Sequence, residues 1–172
     1  MWIFVLTGLR RRQKVIMEKT NAMRILDGKR INYTAYTYDS KDGKIDGVSV
    51  AQKIGKDAQY VYKTLVAHGN NKNIYVFIIP VEKELDLKKA AVATDEKKIE
   101  MVGVKDILKI TGYIRGGCSP IGMKKSYPTY LDESAGLISK IVLSAGKIGI
   151  QMELEVTDLL QVVEGVLADL RK

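Results

Sequence analysis

The chain has one cysteine, one histidine, one tryptophan, two phenylalanines and three prolines in 172 residues. Each scarcity closes off a class of protein. A single thiol, Cys118, cannot form an internal disulfide, and small secreted domains commonly depend on several. The composition therefore points to a reducing, cytoplasmic compartment. A zinc site needs several cysteines or histidines at short spacing, and neither Cys-x-x-Cys nor His-Glu-x-x-His occurs, so no metal and no other cofactor is expected. The apolar run Trp2 to Leu6 is too short to cross a bilayer, and the arginines that follow it stand on the wrong side for a secretory signal. No membrane association is expected.

What is abundant is positive charge. Lys and Arg number 28 against 20 Asp and Glu, a formal net charge of +8 that favours a polyanionic partner such as nucleic acid. Arg10, Arg11, Arg12 and Lys14 carry half of it without a nearby acid, leaving 24 bases against 20 acids in the rest. Residues 1–16 read as an N-terminal extension upstream of Met17, or as the product of a mistaken start, and are set apart from one domain over 17–172. With 46% hydrophobic residues, that length supplies one substantial core.

Short elements with clear punctuation fill the domain. Thr20 or Asn21 caps a helix through Asp27 that Gly28 should stop, Ile31 to Tyr38 reads as a strand, and Ser49 to Ile54 is a second helix closed by Gly55. Val61 to Ala67 and Ile74 to Pro80 form a hairpin around the turn at Gly69 to Asn73. The second of these strands is apolar on both faces, which predicts a central position. Leu85 to Ala93 and Val104 to Ile110 read as surface helices with a short strand at Ile99 to Val102 between them, and residues 112–128 as loop. Ile138 to Leu143 and Ile148 to Val156 are strands, the latter with Gln151, Glu153 and Glu155 on a wet face. Thr157 caps a final helix with one apolar stripe from Leu159 to Leu170. Helices interspersed with strands and hairpins give an α+β class built on a mixed sheet with peripheral helices.

Few residues carry chemistry. His68 beside its turn reads as a solvated or hydrogen-bonded surface group, and Cys118, with no base placed near it, as a packed thiol. Lys63 shares a strand face with Val61, Leu65 and Ala67. Either its stem packs while its ammonium reaches water, or it is a held cation that recognises a phosphate or a carbonyl oxygen. The stretch Thr111-Gly112-Tyr113-Ile114-Arg115-Gly116-Gly117-Cys118-Ser119-Pro120-Ile121-Gly122 is either an ordinary irregular loop or one whose N–H groups hold an oxyanion or phosphate. It has neither a Walker nor a dinucleotide-binding spacing. The pairs Lys88-Lys89, Lys97-Lys98 and Lys124-Lys125 could together flank an RNA backbone.

Seven segments in order resemble the YbaK/EbsC family, in the superfamily of the editing domain of bacterial prolyl-tRNA synthetases. They are the helix near Ala22 and Leu26, Thr37-Tyr38, Val61-Tyr62-Lys63-Thr64-Leu65, Leu85-Asp86-Leu87-Lys88-Lys89-Ala90, Thr111-Gly112-Tyr113, Gly116-Gly117-Cys118-Ser119-Pro120-Ile121-Gly122 and Ser144-Ala145-Gly146-Lys147. The resemblance implies a curved, barrel-like mixed β-sheet with surrounding helices. It also implies a pocket for the aminoacylated 3′ end of tRNA and hydrolysis of the ester of Cys-tRNA(Pro), alongside prolyl-tRNA synthetase as partner. By that similarity Lys63 is the functional, catalytic lysine, while Tyr38, Thr64, Gly116, Gly117, Ser144 and Gln151 bind substrate.

Three positions depart from the family pattern. Ala145-Gly146 stands where a glycine pair is usual, Gln151 where some members have an acid, and Cys118 where an aliphatic residue is usual. A thiol-assisted mechanism suits a chain poor in histidine, because the substrate's own cysteine can attack its ester carbonyl. The alternatives are a deacylase for another mischarged tRNA such as Ala-tRNA(Pro), with pocket volume near Tyr38 and Ala145 deciding, and a non-catalytic aminoacyl-tRNA-binding regulatory module.

Overall fold

The computed structural model describes residues 2–7 and 14–172, with side chains from Met17 onward. The basic run Arg10 to Arg12 lies outside the described residues. Among the described residues ten strands form two mixed five-stranded sheets, and five α-helices pack around them, an α+β arrangement.

The first sheet contains β1 (Trp2–Thr7), β2 (Lys14–Glu18), β3 (Tyr33–Thr37), β8 (Lys140–Lys147) and β9 (Ile150–Glu155), in the order β2-β1-β3-β9-β8. The second contains β4 (Tyr62–His68), β5 (Ile74–Pro80), β6 (Glu100–Met101), β7 (Thr129–Asp132) and β10 (Val166–Ala168), in the order β10-β7-β5-β4-β6. An isolated parallel bridge between Val61 and Val142 joins the two at the start of β4.

Of the segment set apart at the N-terminus, residues 2–7 and 14–16 lie in strands of the first sheet. Leu6 and Thr7 pair in parallel with Tyr36 and Thr37, and the boundary at Met17 falls inside β2. The unbroken apolar run at Trp2 to Leu6 is itself a strand signal.

Strand β5 is the middle strand of its sheet, as its two apolar faces require. Val76 and Ile78 enter a core shared with α1 (Asn21–Gly28), β8 and β9, whereas Phe77 and Ile79 enter a second core beneath α3 (Leu87–Thr94). Phe77, Ile78 and Ile79 are fully buried, each contributing about 1.5–3 kcal/mol through removal from water. The β4–β5 hairpin has full antiparallel register from Tyr62↔Pro80 to His68↔Ile74.

Several local expectations change. The left-handed residue after α1 is Arg30 (φ 58°), not Gly28, which remains within the helix. Directly after the expected loop at 112–128 comes the short strand β7, parallel to β5, where the ladder supplies what four residues of propensity could not. The last helix, α5, spans Val156–Val163 with no side-chain cap from Thr157. It stops at left-handed Glu164, and Gly165 closes it by donating to the Leu160 carbonyl. Val166 to Ala168 then pair with β7, and Leu170 beyond them is buried in the α3 core, so the stripe from Leu159 to Leu170 is divided among α5, β10 and the segment after it. Gln151, expected on a wet face, is only 6% exposed.

Candidate functional site

Strands β4 and β8 meet at the Val61–Val142 bridge and have no ladder pairing beyond it. A cleft of about 380 Å³ opens there, lined by Lys63 and Thr64 from β4, Ser144 from β8 and Gln151 from β9. Arg115, Gly116 and Cys118 close one side of it, and the segment Ile45–Val48, entering α2 (Gly47–Ile54), forms a wall. Another depression of about 400 Å³, between α1, α5 and residues 120–129, contains none of the candidate residues.

Alternation along β4 explains why its edge is open. The Val61 carbonyl accepts from Val81 N–H on the β5 side, whereas the Val66 carbonyl accepts from Val102 N–H on the opposite edge. The backbone groups of Thr64 therefore share the edge of Val66, away from β5. Strand β6 reaches only Ala67 and His68, so it does not cover that edge at Thr64. The Thr64 hydroxyl is also buried without a hydrogen-bond partner among the described residues, and the same is true of the Tyr38 hydroxyl. Buried polar atoms normally find partners, which marks both as unsatisfied.

Lys63 is half-buried and forms no ion pair among the described residues. Burial lowers its pKa from the usual lysine range, with the Glu84 carboxylate pulling the other way. A desolvated, unpaired ammonium is costly unless a ligand supplies the missing negative charge.

The Ser144 hydroxyl accepts from Gly146 N–H at 3.2 Å where the β8–β9 register shifts. Gly146 has φ 101°, and a Cβ there would lie 2.8 Å from the Tyr113 ring, so the bulge requires glycine. Ala145 points elsewhere: it is fully buried in the main core and does not line the cleft. Its methyl therefore takes no volume from the pocket.

Tyr38 and Gly117 stand one layer behind the lining. Tyr38 packs against a cluster that includes Val61, Val81 and Val142, with the Lys53 ammonium 5.9 Å from its ring centroid. A Cβ at Gly117 would meet the Ile148 nitrogen at 3.0 Å, so this glycine lets the loop lie on the β8–β9 turn. Cys118 faces the cleft but is buried, which pushes its pKa up to about 11; it is a thiol at neutral pH, not a nucleophile. His68 is not among the cleft-lining residues and contacts the Gly69 carbonyl through Nδ1.

The wall at Ile45–Val48 was not legible as a site. Its organiser is Lys53, whose ammonium donates to the Asp39 and Lys44 carbonyls at 2.7 and 2.9 Å and to the Asp42 carboxylate at 2.7 Å. Lys53→Met is expected to free residues 39–47, so that the Lys41 and Lys44 amides exchange faster with deuterium while the melting temperature changes little. Unchanged exchange at those two amides would show that Lys53 does not hold the wall.

Solved structures share this architecture. A crystal structure of "a putative trans-editing enzyme for prolyl tRNA synthetase" superimposes with TM-score 0.76 at 21% identity, covering 90% of this chain and 99% of that one. A hypothetical protein gives TM-score 0.81 at 16% identity over 89% of this chain and 100% of its own. At these identities the likeness establishes the fold.

Sequence comparison narrows the class. The family described as "Aminoacyl-tRNA editing domain" matches residues 46–162. An Enterococcus faecalis protein named "Putative Cys-tRNA(Pro)/Cys-tRNA(Cys) deacylase EbsC" is 44% identical over 158 residues, 92% of this chain and 96% of that protein. The chain belongs to the aminoacyl-tRNA editing domain family, within the YbaK/EbsC group.

Proposed function

We propose that this chain is a trans-editing deacylase that hydrolyses mischarged aminoacyl-tRNA, with Cys-tRNA(Pro) as its substrate. The observation that carries the reading is Lys63, an unpaired, half-buried ammonium in an open cleft whose Thr64 hydroxyl has no partner. The 44% identical EbsC relative, whose name gives both Cys-tRNA(Pro) and Cys-tRNA(Cys), supports the amino acid and includes the tRNA.

In this reading the terminal adenosine and its ester enter beside the open edge of β4. The substrate thiol gives up its proton as its sulfur attacks the ester carbonyl, forming a C–S bond; the C–O bond to the ribose then breaks, the ribose oxygen takes up that proton, and a cyclic thiolactone leaves, which water then opens to free cysteine. Lys63 and loop N–H groups, with Gly116 presenting backbone, stabilise the negative charge that develops on the carbonyl oxygen. Thr64, Ser144 and Gln151 orient the substrate, and Tyr38 and Gly117 hold the surrounding walls. No side chain of the protein needs to act as nucleophile. The Val61–Val142 bridge supports reading the two sheets as one curved, barrel-like wall around the cleft.

The mildly basic domain suits a soluble enzyme of the cytoplasm that meets tRNA in company with prolyl-tRNA synthetase. Among the described residues no helix is long and apolar enough to cross a membrane, and no cluster of metal-ligating side chains occurs. Single-turnover deacylation of Cys-tRNA(Pro), Ala-tRNA(Pro) and correctly charged Pro-tRNA(Pro) by the purified chain tests the proposal. The expected result is rapid loss of the cysteinyl ester alone. Turnover of the alanyl ester instead would change the substrate, and binding without turnover would favour a regulatory module.

Every cleft-lining residue lies at or beyond Ile45. Residues 1–16 are therefore proposed to be dispensable: a chain starting at Met17 is expected to fold and to deacylate at the full chain's rate. Loss of either would show that the parallel pairing of β1 with β3 is needed.

A further inference from the structure

We propose that the Asp46 carboxylate recognises the α-ammonium of the substrate, so that the cleft takes aminoacyl esters with a free amine and rejects those whose amine is blocked. This rests on the reading of the cleft as an aminoacyl-ester site and adds the group that reads the amino acid's common part.

Asp46 is the one acidic side chain among the residues lining the cleft, where the other charges are Lys63 and Arg115. An aminoacylated 3′ end offers the complementary set: anionic phosphate, a carbonyl oxygen that becomes negative, and a single cation one carbon from the ester carbonyl. The wall carries Asp46 into the cleft lining, and both of its neighbours in the chain are closely packed. A Cβ on Gly116 would lie 2.9 Å from the Ile45 Cδ1, and one on Gly47 would lie 2.3 Å from the Val81 Cγ1. Asp46 thus sits between the Gly116 loop and Val81, whose N–H donates to the Val61 carbonyl two residues before Lys63.

The carboxylate is held in place and charged. Ser49 donates its N–H to Oδ1 at 3.0 Å and its hydroxyl to Oδ2 at 2.7 Å. These bonds lower the Asp46 pKa, and each oxygen keeps acceptor capacity for another donor. Two further observations point to a polar ligand in the same cleft. The Thr64 hydroxyl is buried with no partner, and Gln151, 6% exposed, makes no side-chain hydrogen bond among the described residues. Asp46 stands exposed at the rim of the cleft, where an ammonium meeting it forms a charge-assisted hydrogen bond.

The test uses two non-hydrolysable amides of 3′-amino-3′-deoxyadenosine, one carrying cysteine and the other 3-mercaptopropionate, which lacks only the amine. Calorimetric binding to the full chain and to Asp46→Asn is measured, since asparagine still caps α2. Removing the amine is expected to weaken binding to the unaltered chain by about tenfold or more, and to leave Asp46→Asn almost indifferent. Equal binding of both ligands by the unaltered chain would overturn the inference. So would the same amine dependence in Asp46→Asn, which would assign recognition to another group, or a failure of either ligand to bind. Deacylation of Cys-tRNA(Pro) measured in parallel separates the readings: turnover without amine dependence leaves the proposed activity standing, and amine-dependent binding without turnover leaves this inference standing alone.

Discussion

Lys63→Ala is expected to keep the fold and to lose deacylation of Cys-tRNA(Pro) by roughly a hundredfold or more, the size of effect that follows loss of an oxyanion-stabilising donor. The fold should survive because Lys63 forms no ion pair among the described residues and burial already disfavours its charge. Removing an unpaired, half-buried ammonium relieves a desolvation cost and opens no core cavity. Lys63→Arg is expected not to restore the rate, since a planar guanidinium spreads its charge and directs its donors differently from an ammonium. Single-turnover rates beside circular dichroism spectra decide the matter. A folded Lys63→Ala protein with a near-normal rate would reduce the lysine to a packing role and remove the central support for the mechanism.

The second large effect is expected at Gly116. Its φ of 86° lies in the left-handed region, and a Cβ there would stand 2.9 Å from the Ile45 Cδ1. Gly116→Val adds a β-branched side chain where a non-glycine residue costs about 1–3 kcal/mol in backbone strain, and it pushes Ile45 from the wall. Deacylation should fall by about tenfold or more, as expected when a reacting group is misplaced by even an ångström. The melting temperature should fall only modestly, because the wall is a surface loop.

Gly117→Ala should show the reverse balance. Its new Cβ meets backbone, the Ile148 nitrogen at 3.0 Å and the Lys147 carbonyl carbon at 3.2 Å, which cannot swing aside as the end of an isoleucine can. Stability should suffer there more than rate. Measuring thermal melts and single-turnover rates for both variants checks the contrast; equal effects on both quantities would show that the two glycines serve one purpose.

The candidate residues were legible to different depths for physical reasons. Lys63 stood out because strand alternation put a charge among apolar neighbours, a conflict visible in seven consecutive residues. Tyr38, Thr64, Gly116, Gly117, Ser144 and Gln151 were reached through resemblance, since a tyrosine, a threonine or a glycine has no distinctive local pattern. The structure places Lys63, Thr64, Gly116, Ser144 and Gln151 on the cleft surface and Tyr38 and Gly117 behind it. The Ile45–Val48 wall escaped notice because its organising bonds run from Lys53 back to Asp39, Asp42 and Lys44, a tertiary closure with no spacing signature.

The sequence by itself determined the elements whose signals are local. Phe77 and Ile79 alternate with Val76 and Ile78, so β5 had to be covered on both faces, and Gly55 had to end α2 because its left-handed φ of 70° suits glycine. Only the tertiary structure decided matters that depend on a distant partner. Thr129–Asp132 and Val166–Ala168 become strands because a parallel ladder satisfies their backbone groups, and β1 joins β3 by the same means. Gln151 is buried despite its alternation, in a cleft that it lines together with Gly116 and Ile45. Burial depends on what the fold brings around a residue, and these two cleft partners of Gln151 lie more than thirty residues away in the chain.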